Sequence, residues 1–529
     1  MKIRQSIYLL ALVLVLLPPL SCKKFLEQTD TSNVAADALF KKPEDAIQLV
    51  NALYNTFDPF GNYDIMKFSF YYINNYLTLD QINYGGDRNW ATFQFDANHQ
   101  AFEGLWNQFY KGISSANAAL PIIAKMRDEN ILDLSLADRL TGETYFLRGL
   151  FYYYLASTFG GVPLELQTVT DNGLHPRNTQ DEVFASVESD MTTAAGLLPT
   201  KENTEDGRAT KGAALGYLGA AQMWLKKYAE AVNTFNQIPN TYHLLPKYID
   251  IHEYRNGSSE ESIFEVKFLI PSGATRSWGR SNDANWLQSF NMPEEITGLG
   301  FESASPNLYA SFENGDTRKL ATIIGPGDQH PSPRIEIKDY SRVKQGFANG
   351  DPRYVGTNGQ IINTAGTVAK PWIGSDPSEL RSGYFNVKTW RDPLVVNGND
   401  SLFGDQGVPM LRLGEVLVSK AEAQFKSGDV AGATATIQLV RDRAWGKLEN
   451  PSVVVPPPVE TDVMKIILDE YRHEINGENS LWFDLRRTGE LIQYIKDKHG
   501  FQIPAGRDLM PIPASALSTN PTLVQNPGY

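Results

Sequence analysis

The chain has 529 residues, 42% hydrophobic and 21% charged, a balance that fits a globular protein and excludes a disordered or largely membrane-embedded one. A formal net charge of −13 repels nucleic acid and anionic lipid headgroups, so neither is expected as a ligand. The single cysteine, Cys22, leaves no intrachain disulfide and no cysteine-built metal site, so stability must come from packing. Taken in chain order, Lys2 and Arg4 form a basic start and Ile7–Leu17 an apolar run. That run is shorter than the roughly 20 residues a membrane-spanning helix needs, and residues 1–21 read as a secretory signal. Small Ser21 before Cys22 suggests a lipoprotein cleavage site, with the thiol becoming a thioether to lipid and residues 22–40 a polar tether. Pro19-Leu20-Ser21-Cys22 departs from the usual Leu-(Ala/Ser)-(Gly/Ala)-Cys box. An ordinary signal peptide beside a chance cysteine is the other reading.

Helical periodicity starts near Lys42-Pro43-Glu44-Asp45 and continues through Ala46, Leu49, Val50 and Leu53. Residues Ala101–Leu120 carry Phe102, Leu105, Trp106, Phe109 and Ile113 on one face, and Leu136–Phe159 is the expected partner helix. Gly160-Gly161-Val162-Pro163 should stop that helix. Two further stretches resemble tetratricopeptide hairpins. In Leu215–Ile238, Gly219 stands twelve residues before Ala231; in Leu417–Val440, Ala421 stands twelve before Ala433. Small residues let two helices approach where they cross, and such pairs must stack to bury their apolar faces. The expected class is mainly α: a tetratricopeptide-like superhelix with a helical scaffold over 41–253 and a C-terminal hairpin and tail over 408–529. Between them, 254–407 is rich in Gly, Asn, Ser, Pro and Asp, with one strand candidate, Ile263–Ile270. It reads as an inserted loop-rich subdomain, the usual place for binding residues on a rigid scaffold.

Catalytic motifs are missing. There is no Gly-x-Ser-x-Gly elbow, His-Glu-x-x-His helix or phosphate loop, and the seven histidines show no ligand spacing. No catalytic residue, metal or cofactor is expected, although carboxylate pairs for glycoside hydrolysis are spatial and invisible in sequence. The densest charged constellation runs from Glu470 to Arg487. It reads either as an anion clamp or as helix pairing with Trp482 packed beneath, the second being commoner. Loop aromatics are the better functional signal. Tyr84, Arg88, Asn89 and Trp90 lie in one non-helical segment, Trp278 and Trp286 in the insertion beside Arg and Asn, and Trp372 after Lys370-Pro371. Flat rings with amide, carboxylate and guanidinium neighbours suit sugars, which offer C–H faces ringed by hydroxyls. A loop Trp can equally anchor its own loop; helical Trp106, Trp224 and Trp482 read as core.

Several blocks in order resemble the RagB/SusD family of outer-membrane nutrient-uptake lipoproteins. They are Cys22-Lys23-Lys24-Phe25-Leu26, Trp106 with Tyr110-Lys111-Gly112-Ile113, Glu143–Leu150, Phe159–Leu164, Arg208-Ala209-Thr210, Ile263–Val266, Arg412–Glu415 and Glu470–Arg487. The chain closes on Pro511-Ile512-Pro513 and Asn520–Tyr529. Leu413-Gly414 stands where Tyr-Ala is usual. The resemblance implies a non-enzymatic lipid-anchored surface protein that captures oligosaccharides and acts as lid to a SusC-like TonB-dependent transporter in the outer membrane. Trp90, Trp278 and Trp286 lie in regions from which such proteins draw ligand-binding aromatics. The alternatives are a peptide- or other nutrient-capturing relative and a glycoside hydrolase.

Overall fold

The computed structural model describes residues 40–57, 69–83, 87, 89–256, 259–268, 287–292, 302–325, 328–335, 384–393 and 404–529, with the backbone of two short strands at 354–355 and 361–362. The signal, Cys22 and the tether lie outside the described residues. The fold is mainly helical. Helix α1 (Pro43–Tyr54) starts on Pro43, and Asp45 accepts the N–H groups of Lys41 and Lys42 at 3.0 and 3.1 Å. Helix α2 (Gln100–Asp128) begins where expected but runs past Pro121. Proline forfeits one ladder hydrogen bond there, yet Ile123 and Met126 continue the buried stripe and carry the helix on. Helix α3 (Leu134–Phe159) is capped by Asp133 and ends at Gly160, whose φ of +77° disfavours any residue with a Cβ. Helix α4 (Gln180–Leu197) opens on a Thr179/Glu182 capping box.

The two hairpins read from the sequence are α5 (Lys211–Trp224) with α6 (Tyr228–Phe235), and α7 (Leu413–Lys426) with α8 (Val430–Ala444). They share a detail beyond the small-residue spacing. Thr234 donates to Gln222 at 2.8 Å in the first, and Thr436 donates to Gln424 at 2.7 Å in the second. Each bond spans twelve residues, so the hairpins repeat one geometry. Helices α2 to α6 pack each on the next, and α7 packs on both α6 and α8, which extends the row across the chain's two halves. Helices α9 (Val463–Ile475), α10 (Leu481–Thr488) and α11 (Leu491–His499) follow in the C-terminal part, with a last short helix at Ala514–Thr519. The aromatic excess goes into the core, where Phe70 meets Phe109, Tyr154 and Phe483 with centroids 4.4–6.3 Å apart.

The described strands are short and form antiparallel pairs: β1 (Gln81–Asn83) with β3 (Glu302–Ala304), β2 (Ser262–Val266) with β8 (Val408–Arg412), β4 (Ile323–Ile324) with β7 (Phe385–Asn386), and β5 (Tyr354–Val355) with β6 (Ile361–Ile362). The strand expected over Ile263–Ile270 is β2, which ends at Val266. Its pairing with β8 brackets the segment between them.

The Glu470–Arg487 constellation is scaffold. Glu474 is fully buried and takes hydrogen bonds from Arg318, Arg412 and Arg443, while Arg472 binds Asp80 and Arg487 binds Glu422 at 2.8 Å. Burial alone would raise the Glu474 carboxyl, but Arg443, Arg412 and Arg318 outweigh it and hold it well below the usual carboxylate range. Trp482 and Trp106 are buried as expected. Trp224 is only half-buried, stacked on Phe184 at 4.8 Å with the Arg486 guanidinium 5.0 Å from its ring.

Candidate functional site

Of the aromatic residues proposed from sequence, Trp90 is placed and requires correction. Its ring is fully buried, packed against Tyr72, Phe95, His99 and Phe102 with centroids 5.1–5.4 Å away. It offers no face to a ligand and instead pins the loop before α2 to the core. Neighbouring Asn89 is exposed. Tyr84, Arg88, Trp278, Trp286 and Trp372 lie outside the described residues.

The described residues build a groove elsewhere, where the β2–β8 ladder meets the turn at 205–208. The β2–β8 pairing carries register shifts around Phe264, a bulge-like irregularity of the kind that redirects side chains. One lobe, of about 400 Å³, is lined among others by Glu265, Lys267, Arg255, Asp405 and Pro409. A second lobe, of about 490 Å³, lies between α1 and β2 and is lined by Tyr54, Phe57, Arg208, Phe264 and Phe268. Asp206, Glu265, Lys267 and Phe268 line both. Both volumes fall in the range of small-molecule sites.

Glu265 is the central group. Gly407 makes room for it, since a Cβ there would lie 1.8 Å from the carboxylate oxygen. Burial pushes the carboxyl up to about 7; Lys267 at 3.4 Å and the Ser262 hydroxyl at 3.2 Å pull the other way. Asp405 accepts the Tyr254 hydroxyl at 2.7 Å and faces Arg255 at 3.6 Å. Gln406 holds the wall by accepting from the Arg391 N–H at 2.8 Å and donating to the Lys388 carbonyl at 2.6 Å. His252, buried at one end, is lowered to about 4 chiefly by burial, so it is neutral near pH 7. Tyr54 donates to Glu143 at 3.0 Å, and Arg208 is clamped between Glu205 at 2.6 Å and Glu143 at 3.0 Å. Carboxylates, guanidinium groups and amides over aromatic edges can exchange hydrogen bonds with a polyhydroxyl ligand. Among the described residues no group of three or more His, Cys, Asp or Glu is arranged to hold a metal.

Sequence reasoning missed Glu265, Asp405, Asp206 and Phe268. One signal was present: a lone carboxylate inside the apolar run Ile263-Phe264-Glu265-Val266, where an acid is costly unless used or paired.

Residues 24–223 match a family described as "Starch-binding associating with outer membrane", and residues 260–529, more than half of the chain, match the SusD family. The chain belongs to the SusD family. It is 24% identical over 502 residues to a SusD-like protein of Bacteroides ovatus, covering 90% of this chain and 80% of that one. It is 22% identical over 421 residues to the starch-binding protein SusD of Bacteroides thetaiotaomicron, covering 74% and 73%. A solved laminarin-binding SusD-like protein has the same fold, with a TM-score of 0.70 at 24% identity over 93% of this chain and 100% of that one.

Proposed function

We propose that this protein is a cell-surface glycan-binding lipoprotein. It is held at the outer membrane through lipid on Cys22, captures oligosaccharides without cleaving them, and passes them to a SusC-like TonB-dependent transporter as its lid. The observation that carries the reading is family membership across both halves of the chain, in a family whose named relatives include starch- and laminarin-binding proteins. The polar groove supports it. At Phe268 on the groove the chain enters the sequence segment that holds Trp278 and Trp286. With Asn89, Arg88, Tyr84 and Trp372 these remain the proposed ligand contacts, and Trp90 is withdrawn.

Affinity gels and calorimetry against a glycan panel test capture. Retention by at least one glycan, with no new reducing ends after overnight incubation, is the expected result; release of sugar would turn the reading to hydrolysis. Cys22→Ala should move the protein from the membrane to the soluble fraction. Failure of the wild-type chain to co-purify with a transporter barrel would remove the lid role.

A further inference from the structure

The two lobes share Asp206, Glu265, Lys267 and Phe268, so they adjoin as one trough with Lys267 among the residues where they meet. Among the described residues, four permanently charged cations line it, and each already meets a carboxylate. Arg208 is held by Glu205 and Glu143, and Arg255 by Asp405. Lys267 lies 3.4 Å from Glu265 and 3.6 Å from Asp206, and Arg412 lies 2.8 Å from Glu478. The buried imidazole of His252 adds no charge near neutral pH. On the other side of the balance, Glu205, Asp206, Glu253, Asp405 and a Glu265 that is about half-protonated near pH 7 line the trough.

A uronate or sulfate entering this trough has to displace a carboxylate from its cation or sit against the carboxylates uncompensated. Either way like charges meet at short range, which disfavours an acidic ligand, most of all at low salt. Hydroxyl groups carry no such penalty. They donate to the carboxylates and accept from the paired guanidinium groups without breaking a pair. A ligand confined to one lobe misses the groups found only in the other, whereas a chain crossing Lys267 meets both sets.

Building on the glycan-capture reading, we propose that the trough selects uncharged oligosaccharides long enough to bridge its two lobes across Lys267.

Calorimetry on the purified full chain tests this with neutral gluco-oligosaccharides of two to eight units and oligouronides of matched length, at 50 and 300 mM NaCl. Neutral chains should bind at least tenfold tighter than oligouronides, with affinity that rises with length and changes little with salt. Asp405→Asn keeps the Tyr254 contact and releases Arg255, and should gain salt-sensitive oligouronide binding. Lys267→Met should weaken the longer neutral chains about tenfold while leaving disaccharides within twofold. Tighter binding of oligouronides by the wild type would overturn the inference but keep glycan capture. So would neutral binding that Lys267→Met and Asp405→Asn both leave untouched, because the ligand would then lie outside the trough. No retention of any glycan, neutral or acidic, would remove both.

Discussion

Arg318 and Glu470 stand 152 residues apart in sequence, yet the Arg318 guanidinium donates to the Glu470 carboxylate at 2.7 Å. The same guanidinium reaches Glu474 at 3.1 Å and Asp316 at 2.7 Å, with its side chain fully buried. This contact ties the short helix Arg318–Thr322 to α9. Buried pairs of this kind add little net stability over a hydrophobic substitute, but breaking one strands the partner charges. Arg318→Met should therefore lower unfolding free energy by about 3–5 kcal/mol, seen as a fall in the urea midpoint. Arg318→Lys should recover only part, because ammonium lacks the fork that serves three carboxylates at once. A midpoint unchanged in Arg318→Met would refute this account of the network.

Trp90 is predicted to matter for stability and not for ligand contact. Trp90→Ala should cost about 3–5 kcal/mol by leaving a cavity among Tyr72, Phe95 and Phe102. Trp90→Phe should cost less and keep glycan affinity within twofold. Loss of affinity in Trp90→Phe at full folding, read by calorimetry beside circular dichroism, would return the ring to the binding site.

Stability should fall as pH rises through neutrality. Burial pushes the Glu302 carboxyl up to about 8, against the opposing hydrogen bond from the Tyr76 hydroxyl. An unfolded glutamate titrates near 4.3, so the folded state binds the proton more tightly across about pH 4 to 8 and loses that advantage as pH increases. Glu265, at about 7, contributes with the same sign over a narrower window. Asp80 and Glu474 act oppositely. Burial raises each, but Arg472 for Asp80 and three arginines for Glu474 dominate, so their contribution disappears as pH drops below about 4. Buried His252, lowered to about 4, adds stability as pH rises toward 6.5 and opposes the acids there, so the Glu302 contribution is read as the fall in urea midpoint between about pH 7 and 9. Glu302→Gln should flatten the alkaline limb and exceed the wild type at pH 9; an unchanged slope would exclude Glu302 as its source.

The crossing of α5 and α6 depends on Gly219. A Cβ there would lie 2.3 Å from the Phe235 ring. Gly219→Ala gains about 1 kcal/mol of helix propensity but overpacks a contact at a typical cost of about 1–3 kcal/mol. A net loss of stability is expected, and adding Phe235→Leu should restore it. Denaturant titration of the single and double variants would show whether the two residues couple; purely additive effects would argue against the crossing.

Much of the scaffold was legible because helices announce themselves locally. The Phe102-Leu105-Trp106-Phe109-Ile113 stripe, the Gly160 stop and the two twelve-residue small-residue spacings all appear as elements where they were read. The helix expected to end at Leu120 runs on to Asp128, because the apolar stripe continues through Ile123 and Met126 beyond Pro121. The constellation from Glu470 to Arg487 was recognised as pairing, but its partners Arg318, Asp80 and Arg412 were not. Those lie between 62 and 392 residues away along the chain.

The groove follows the same division. Sequence by itself determined that β2 would form and which family the chain resembles, since these rest on periodicity and ordered blocks. Only the tertiary structure decided that Lys267 reaches Asp206, that Gly407 lies against the Glu265 carboxylate, or that the Trp90 ring turns inward. Helix and strand periods are set by neighbours three, four or two residues away. Burial of a loop side chain, and the pKa of an acid in a strand, depend on groups brought to it by the fold.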